Sequence, residues 1–445
     1  MRYSSIKIQN DKMYILITFA ILFSNIYKAL VTFLRLPSAI SYILDIVWVA
    51  FLFIIIRVIL KDNIDKDAKW IVGLITLFWI ETLMSWGMNL YSPLLYMWGF
   101  RNLFRFYIFL IACVFFFQAR NIYSIYKMLY ILLIVNAVFC TIEYFALHYT
   151  LDTVSGLFTS GAGVRGGNAS LNVLMCIVST ISLSLYFEKK KNIIHAAIPI
   201  VLSLYMAAIA EIKAFYIEFA IILITCSLFT RFSFKKLYGV GIAVIAMIIA
   251  VRYYYILFPD FENIFTVSNL LIYIGIDGSG YGPATILNRT TAAPYMMENF
   301  MTTIPTKLFG IGLGNADYST ASTLLTSKFY LEYGYLYYTW WLLPMLLIEN
   351  GIIGVLLYAL ILIYIFIKTT KMKKYAKEER AFFTAVQTLA ILGMMFIVYN
   401  QCLRLDTAGY AFYFWMSVPF IIQRDIKEGR YLTIPRSKTI KIRFI

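Results

Sequence analysis

The chain reads as a succession of long apolar blocks separated by short polar breaks. Twelve blocks stand out, at 13–34, 40–60, 70–88, 103–119, 125–147, 170–187, 193–210, 214–230, 237–257, 342–367, 381–399 and 407–423. At about 1.5 Å per residue each is long enough to cross a hydrocarbon core of roughly 30 Å as a helix. Lipid offers no hydrogen bonds to a bare backbone, so segments of this kind are predicted to be α-helical. The first block is longer than a signal-peptide core and no small-residue cleavage site follows it, which predicts a retained helix. The expected fold class is therefore all-α: a polytopic membrane protein of about twelve spans, forming a single membrane domain over 1–445.

One polar break differs from the rest. Between the ninth and tenth blocks, 258–341 forms a large loop carrying nine tyrosines (Tyr273, Tyr281, Tyr295, Tyr318, Tyr330, Tyr333, Tyr335, Tyr337 and Tyr338) and a helical apolar stretch at 292–308. Such a loop is expected to pack at the membrane surface rather than to hang as filler. The two halves of the chain show no internal repeat of the kind alternating-access transporters carry, which counts against transport.

Composition agrees with the pattern: 61% of residues are hydrophobic and 14% charged, too apolar to keep the surface of a soluble globule wet. The formal net charge of +16 raises the possibility of a nucleic-acid partner until the cations are located. Most lie in alternate loops, in runs such as Lys189-Lys190-Lys191 and 371–380, and in the basic tail 424–445. Under the positive-inside rule they put both termini in the cytoplasm and 258–341 outside, and the same rule accounts for the tail. No nucleic acid is then needed.

The usual soluble chemistries find few residues. Cys113, Cys140, Cys176, Cys226 and Cys402 are scattered and odd in number, as core fillers rather than a disulfide framework. His148 and His195 are the only histidines, too few for a zinc site or a Ser-His-Asp triad. No phosphate-binding glycine loop occurs, and Asp65-Lys66-Asp67, though an acid-x-acid element, falls in a highly charged cytoplasmic loop and reads as solvated. Asn168-Ala-Ser and Asn288-Arg-Thr match a glycosylation pattern that arises often by chance.

What remains are eleven cations predicted on the outer side: Lys28, Arg35, Arg101, Arg105, Arg165, Lys213, Arg252, Arg289, Lys307, Lys328 and Arg404. Arg105 and Lys213 lie at or inside span ends, where a charge must be paired or line a wet cavity. Glu143, Glu211 and Glu218 are candidate structural partners, and phosphate binding is the functional alternative. In the large loop three basic residues face six acidic ones, Asp260, Glu262, Asp277, Glu298, Asp317 and Glu332. Arg289 in that setting could clamp a diphosphate through its guanidinium fork, or snorkel at the interface. The tyrosines offer flat faces for sugars, with Tyr295 and Tyr318 as candidates, although interfacial belts have the same composition.

Four sequence elements carry a resemblance. Lys307-Leu-Phe-Gly-Ile-Gly-Leu-Gly-Asn315, followed by Leu347-Ile-Glu349-Asn-Gly351-Ile-Ile-Gly354 at the opening of a span, resembles the signature of the O-antigen polymerase and O-antigen ligase superfamily. Arg165-Gly-Gly-Asn168 before the sixth span resembles its Arg-Gly-Asn element, and Glu211-Ile-Lys213-Ala its Ser-Arg or Ser-Lys turn. Arg289 stands where members carry an arginine early in the large loop. The similarity covers 160–367. It departs from the ligases, which carry a His-Asn pair where this chain reads Tyr338-Thr-Trp340-Trp341, and it has Glu211 and Lys213 where Ser and Arg are commoner. Polymerase is favoured over ligase, with a flippase of the same lipid as the competing class.

The resemblance implies a glycosyltransferase-C-like helical fold in the bacterial cytoplasmic (inner) membrane, with the large loop periplasmic or extracellular. It implies an undecaprenyl-diphosphate-linked oligosaccharide donor, no metal or nucleotide-sugar cofactor, and a chain-length regulator and a flippase as partners. Arg165, Lys213 and Arg289 are expected to face the diphosphate. A lipid diphosphate leaves as a stable anion, so cations can replace a protonated acid. An acceptor hydroxyl then attacks the anomeric carbon with help from Arg289 and from a loop carboxylate acting as base, with Glu298, Asp317 and Glu332 the candidates.

Overall fold

The computed structural model describes residues 2–60, 66–259, 264–266, 268–269 and 287–430, and the side chains of these except 2–11, 66–67 and 151. Asp65, the side chain of Asp67, Tyr273, Tyr281, Asp260, Glu262, Asp277 and the tail from 431 lie outside the described residues.

The described residues form helices and loops, with no strand among them. In chain order the helices are α1 (Arg2–Phe33), α2 (Ile43–Leu60), α3 (Lys66–Asn89), α4 (Pro93–Phe116), α5 (Ile122–Thr141), α6 (Gly167–Phe187), α7 (Ile193–Ile209), α8 (Lys213–Phe229) and α9 (Phe234–Leu257). Short α10 (Ala292–Asn299), α11 (Ile304–Phe309) and α12 (Lys328–Tyr333) follow, then α13 (Leu342–Tyr375), α14 (Arg380–Tyr399) and α15 (Asp406–Lys427). Among the described residues, nine segments, on α1 to α6, α9, α13 and α14, are long and apolar enough to cross a membrane. The other three expected spans form helices α7, α8 and α15, the first two of 17 residues and the last of 22.

Local chemistry sets several boundaries. Asn192 accepts from the His195 N–H at 3.1 Å to start α7, and Ser233 accepts from Lys236 at 3.3 Å to start α9. Pro93 occupies the first turn of α4, where its missing N–H is harmless. The expected start of that helix, near 103, was ten residues late. Arg101 makes the stretch before 103 look like a loop, but its charge is neutralised within the bundle, as described below. The stretch 292–308 is likewise two helices, α10 and α11, broken where Thr303 and Thr306 form a reciprocal capping box.

Helices α4, α6, α14 and α15 form the buried centre, and α9 lies at the periphery with Ile245, Ile248, Ile249 and Ile256 exposed. The centre is held partly by small hydroxyls and thiols. Ser182 meets Tyr126 at 2.9 Å, Ser179 meets Ser203 at 3.2 Å, and Ser170 pairs with Thr407. All five cysteines are free and buried. The described part of the large loop builds a second small core, in which Met296, Met301, Leu336, Tyr338 and Trp341 pack on Met345 and Ile348 of α13.

Candidate functional site

The two halves of the glycine motif interlock. Helix α13 breaks at Gly351, whose φ of 63° and ψ of −168° are open to glycine and not to a residue with a Cβ. The break leaves the carbonyls of Ile348 and Glu349 without their helical partners. Ile311 and Gly312 donate their N–H groups to those carbonyls at 2.8 and 3.0 Å. A Cβ on Gly314 would overlap the Leu95 carbonyl of α4, so glycine is what lets the loop lie this close. Three further bonds fasten the run to α3 and the turn after it: Ser85 to the Phe309 carbonyl (2.6 Å), Asn89 to Gly310 (3.3 Å) and Tyr91 to Leu313 (2.6 Å).

The interlock delivers Glu349 to a buried cation. Its carboxylate accepts from the Gly314 N–H at 3.0 Å and pairs with Arg404 at 3.3 Å, while Arg404 pairs with Asp317 at 2.7 Å. Asn102 of α4 donates to the same Asp317 oxygen at 2.8 Å. Arg404 stands in the short turn between α14 and α15. Burial opposes its charge, but Asp317 and Glu349 outweigh that and hold the guanidinium above its ordinary value. Its carbonyl accepts from Arg105 at 3.0 Å, and Arg105 pairs with Asp406. One turn back along α4, Arg101 forks onto Asp45 with two bonds of 2.9 Å. Lys28 lies within electrostatic reach of Asp406. Four cations thus meet four carboxylates, as buried charges require.

These pairings correct part of the sequence reading. Lys213 does pair with Glu211, at 2.9 Å, but Arg105 takes Asp406 and none of the three expected glutamates. Glu143 accepts instead from the N–H groups of Ser155 and Gly156 at 2.8 and 2.7 Å, and Glu218 from the Cys176 thiol at 3.2 Å.

The three expected diphosphate ligands fall at one end of the bundle, as helix register shows. Cys176 with Glu218 and Ser184 with Cys226 join α6 to α8 at the same sequence offset of 42, so these helices run parallel. Thr225 meets Thr388 at 3.1 Å, and Lys373 bonds both the Phe229 carbonyl and Thr384 at 2.6 Å, so α14 runs antiparallel to α8. The start of α6, the start of α8 and the end of α14 therefore share one end. Arg165 is exposed just before α6, and Lys213 opens α8 after Glu211, which has a φ of 57°. Arg289 donates to the Tyr399 carbonyl at 3.2 Å at the end of α14 and lies 4.4 Å from the centre of its ring. Asn168 of the Arg165 element donates to Asp152 at 3.2 Å, and Asp152 and Glu211 both lie within electrostatic reach of Tyr254.

Among the remaining candidates, Glu298 on α10 and Glu332 on α12 are exposed. Tyr295 packs edge-on against Phe300, and Tyr318 is stacked on Tyr330 at 4.5 Å, one face covered. Burial, with Tyr330 and Asp317 adding, pushes the Tyr318 hydroxyl above its ordinary range. Asn102, Asp406 and Asp45 were not singled out from sequence; the signal present was the unexplained charge of Arg101, Arg105 and Arg404. Compared with known protein families and with curated proteins, the chain matches no family model and no curated sequence.

Proposed function

We propose that this membrane protein is a glycosyltransferase that polymerises oligosaccharide repeat units carried on undecaprenyl diphosphate, at the outer face of the bacterial cytoplasmic membrane. The observation that carries the reading is the gathering of Arg165, Lys213 and Arg289 at one end of three mutually packed helices, beside the large loop. In the proposed reaction these cations take the charge that develops on the diphosphate as its bond to the anomeric carbon breaks. The acceptor hydroxyl forms the new glycosidic bond, and its proton passes to a carboxylate among Glu298, Asp317 and Glu332. Asp317, tied to Arg404 and Asn102, is the one held at a defined position. Tyr295 and the open face of Tyr318 are the proposed sugar platforms. Both termini are cytoplasmic in this reading, about twelve helices span the bilayer, and a chain-length regulator and a flippase are the protein partners.

The test is incubation of purified protein with a lipid-linked repeat unit. A ladder of longer glycans is expected, and Arg289→Ala should lower its rate on the order of 10²- to 10³-fold in a folded protein. Arg289→Lys should restore part of it, since an ammonium keeps the attraction and loses the bidentate fork. Movement of the lipid across the bilayer with no new glycosidic bond would overturn the reading in favour of a flippase. Transfer of the glycan to a different acceptor would overturn it in favour of a ligase.

A further inference from the structure

The chain between α5 and α6 changes character abruptly just before Arg165. Residues 153–159 are buried, whereas 160–166 are exposed apart from the half-buried Gly161. The buried stretch is a plug with one short helical turn, Gly156–Phe158, packed against α1, α5 and α6. Backbone in such a place must find its hydrogen bonds within the protein. All five N–H groups from Ser155 to Thr159 do. Phe158 and Thr159 donate to the carbonyls of Ser155 and Gly156 at 3.2 Å, and Leu157 donates to the Asn136 side chain at 3.0 Å. Ser155 and Gly156 share one oxygen of Glu143, at 2.8 and 2.7 Å. Thr32 of α1 fastens the far end by donating to the Thr159 carbonyl at 3.0 Å.

The exposed stretch is an arm with both feet on that plug. One foot is Thr159. The other is Gly167, the first residue of α6, where a Cβ would overlap the Ser155 side chain and the Phe158 carbonyl. Between the feet, Gly161, Gly163 and Gly166 have positive φ, and a Cβ on any of them would meet nothing within 4 Å among the described residues. The arm therefore stands clear of the bundle and is jointed by residues that accept either sign of φ. Its reach is still bounded. Arg165 lies two residues from Gly167, so its Cα stays within roughly 7 Å of that foot whatever the arm does.

We propose that Glu143 is a positioning residue for Arg165: by holding the Ser155–Gly156 turn on which Gly167 rests, it sets where the arm brings Arg165 onto the diphosphate of the lipid-linked donor. This rests on the polymerase function proposed above. Glu143 touches no reacting atom and acts through the backbone alone. A carboxylate suits the task, because one charged oxygen accepts two converging N–H groups more strongly than a neutral acceptor does.

A double-mutant cycle on polymerisation of a lipid-linked repeat unit by the full chain tests this. Displacing a working group by 1 Å can cost about 10²-fold, so Glu143→Ala should lower kcat/KM by about that factor. Glu143→Gln should lower it by about tenfold or less, because the amide oxygen still accepts both N–H groups. In an Arg165→Ala background, Glu143→Ala should cost less than about threefold, since the residue it positions is gone. Losses that multiply would overturn the proposal and leave Glu143 a part of the scaffold alone. Hydrogen exchange of the wild-type chain gives a reading that needs neither a Glu143 variant to fold nor polymer to form. With undecaprenyl diphosphate added, the amides of 160–166 should exchange about fivefold or more slowly, those of 155–159 being slow throughout, and Arg165→Ala should abolish the change. Unchanged exchange in the arm would overturn the proposal. Slowed exchange without any polymer would instead remove the polymerase function and leave Arg165 on its arm as a diphosphate ligand.

Discussion

Replacing Arg404 by methionine isolates the buried network. Arg404→Met keeps most of the side-chain volume and removes one cation from two carboxylates, Asp317 at 2.7 Å and Glu349 at 3.3 Å. Each carboxylate retains a neutral donor: Asn102 at 2.8 Å for Asp317, and the Gly314 N–H at 3.0 Å for Glu349. Removing one partner of a buried ion pair leaves an uncompensated charge and costs about 3–5 kcal/mol. The retained donors place this case in the lower half, at about 3–4 kcal/mol, or between two and three orders of magnitude in the folded-to-unfolded ratio. Equilibrium unfolding in mixed micelles measures it. Combining Arg404→Met with Asp317→Asn and Glu349→Gln removes the stranded charges, and should recover about half of the loss or more, a coupling of about 1.5–3 kcal/mol in the upper part of the range for residues of one network. A single-variant cost under about 1 kcal/mol, the range of exposed pairs, would refute the argument. So would a triple variant whose loss equals the sum of its parts.

Other expectations are more local. Gly351→Ala forces a Cβ into a left-handed backbone and against the Leu308 carbonyl, and should destabilise by about 2 kcal/mol or more, read as a lowered unfolding midpoint; a neutral effect would mean the break can straighten. A reporter fused after Arg424 should be active only in its cytoplasmic form, and external labelling of the tail would invert the topology.

The helices were legible because length and apolar content suffice to mark them, and α13 and α14 begin within a residue of where the blocks do. The start of α4 was not, because the charges that interrupt its pattern are cancelled from afar. Asp45 is 56 residues before Arg101, and the partner of Arg105 sits at the start of α15. The glycine run could be seen as a motif, yet its physical purpose depends on carbonyls that only the break at Gly351 releases. Arg404 was legible only as one of eleven outer-side cations, and its acids come from positions 87 and 55 residues earlier, a pairing no local pattern encodes. The cations Arg165, Lys213 and Arg289 were legible as motif members, whereas the aromatic seat of Arg289 on Tyr399 was not.

The bond from Arg105 to the Arg404 carbonyl spans 299 residues, and this gives the protein a timetable. A ribosome adding about 5–20 residues per second needs roughly 15–60 s between the two. Throughout that interval α4 has been made while its counter-charge on α15 has not. Stable insertion of an arginine so far from its acid calls for something to shelter it, an insertase cavity or the still-open bundle itself. The helix that neutralises Arg105 is made long after α4, so this part of the centre of the bundle closes only once α15 has been synthesised.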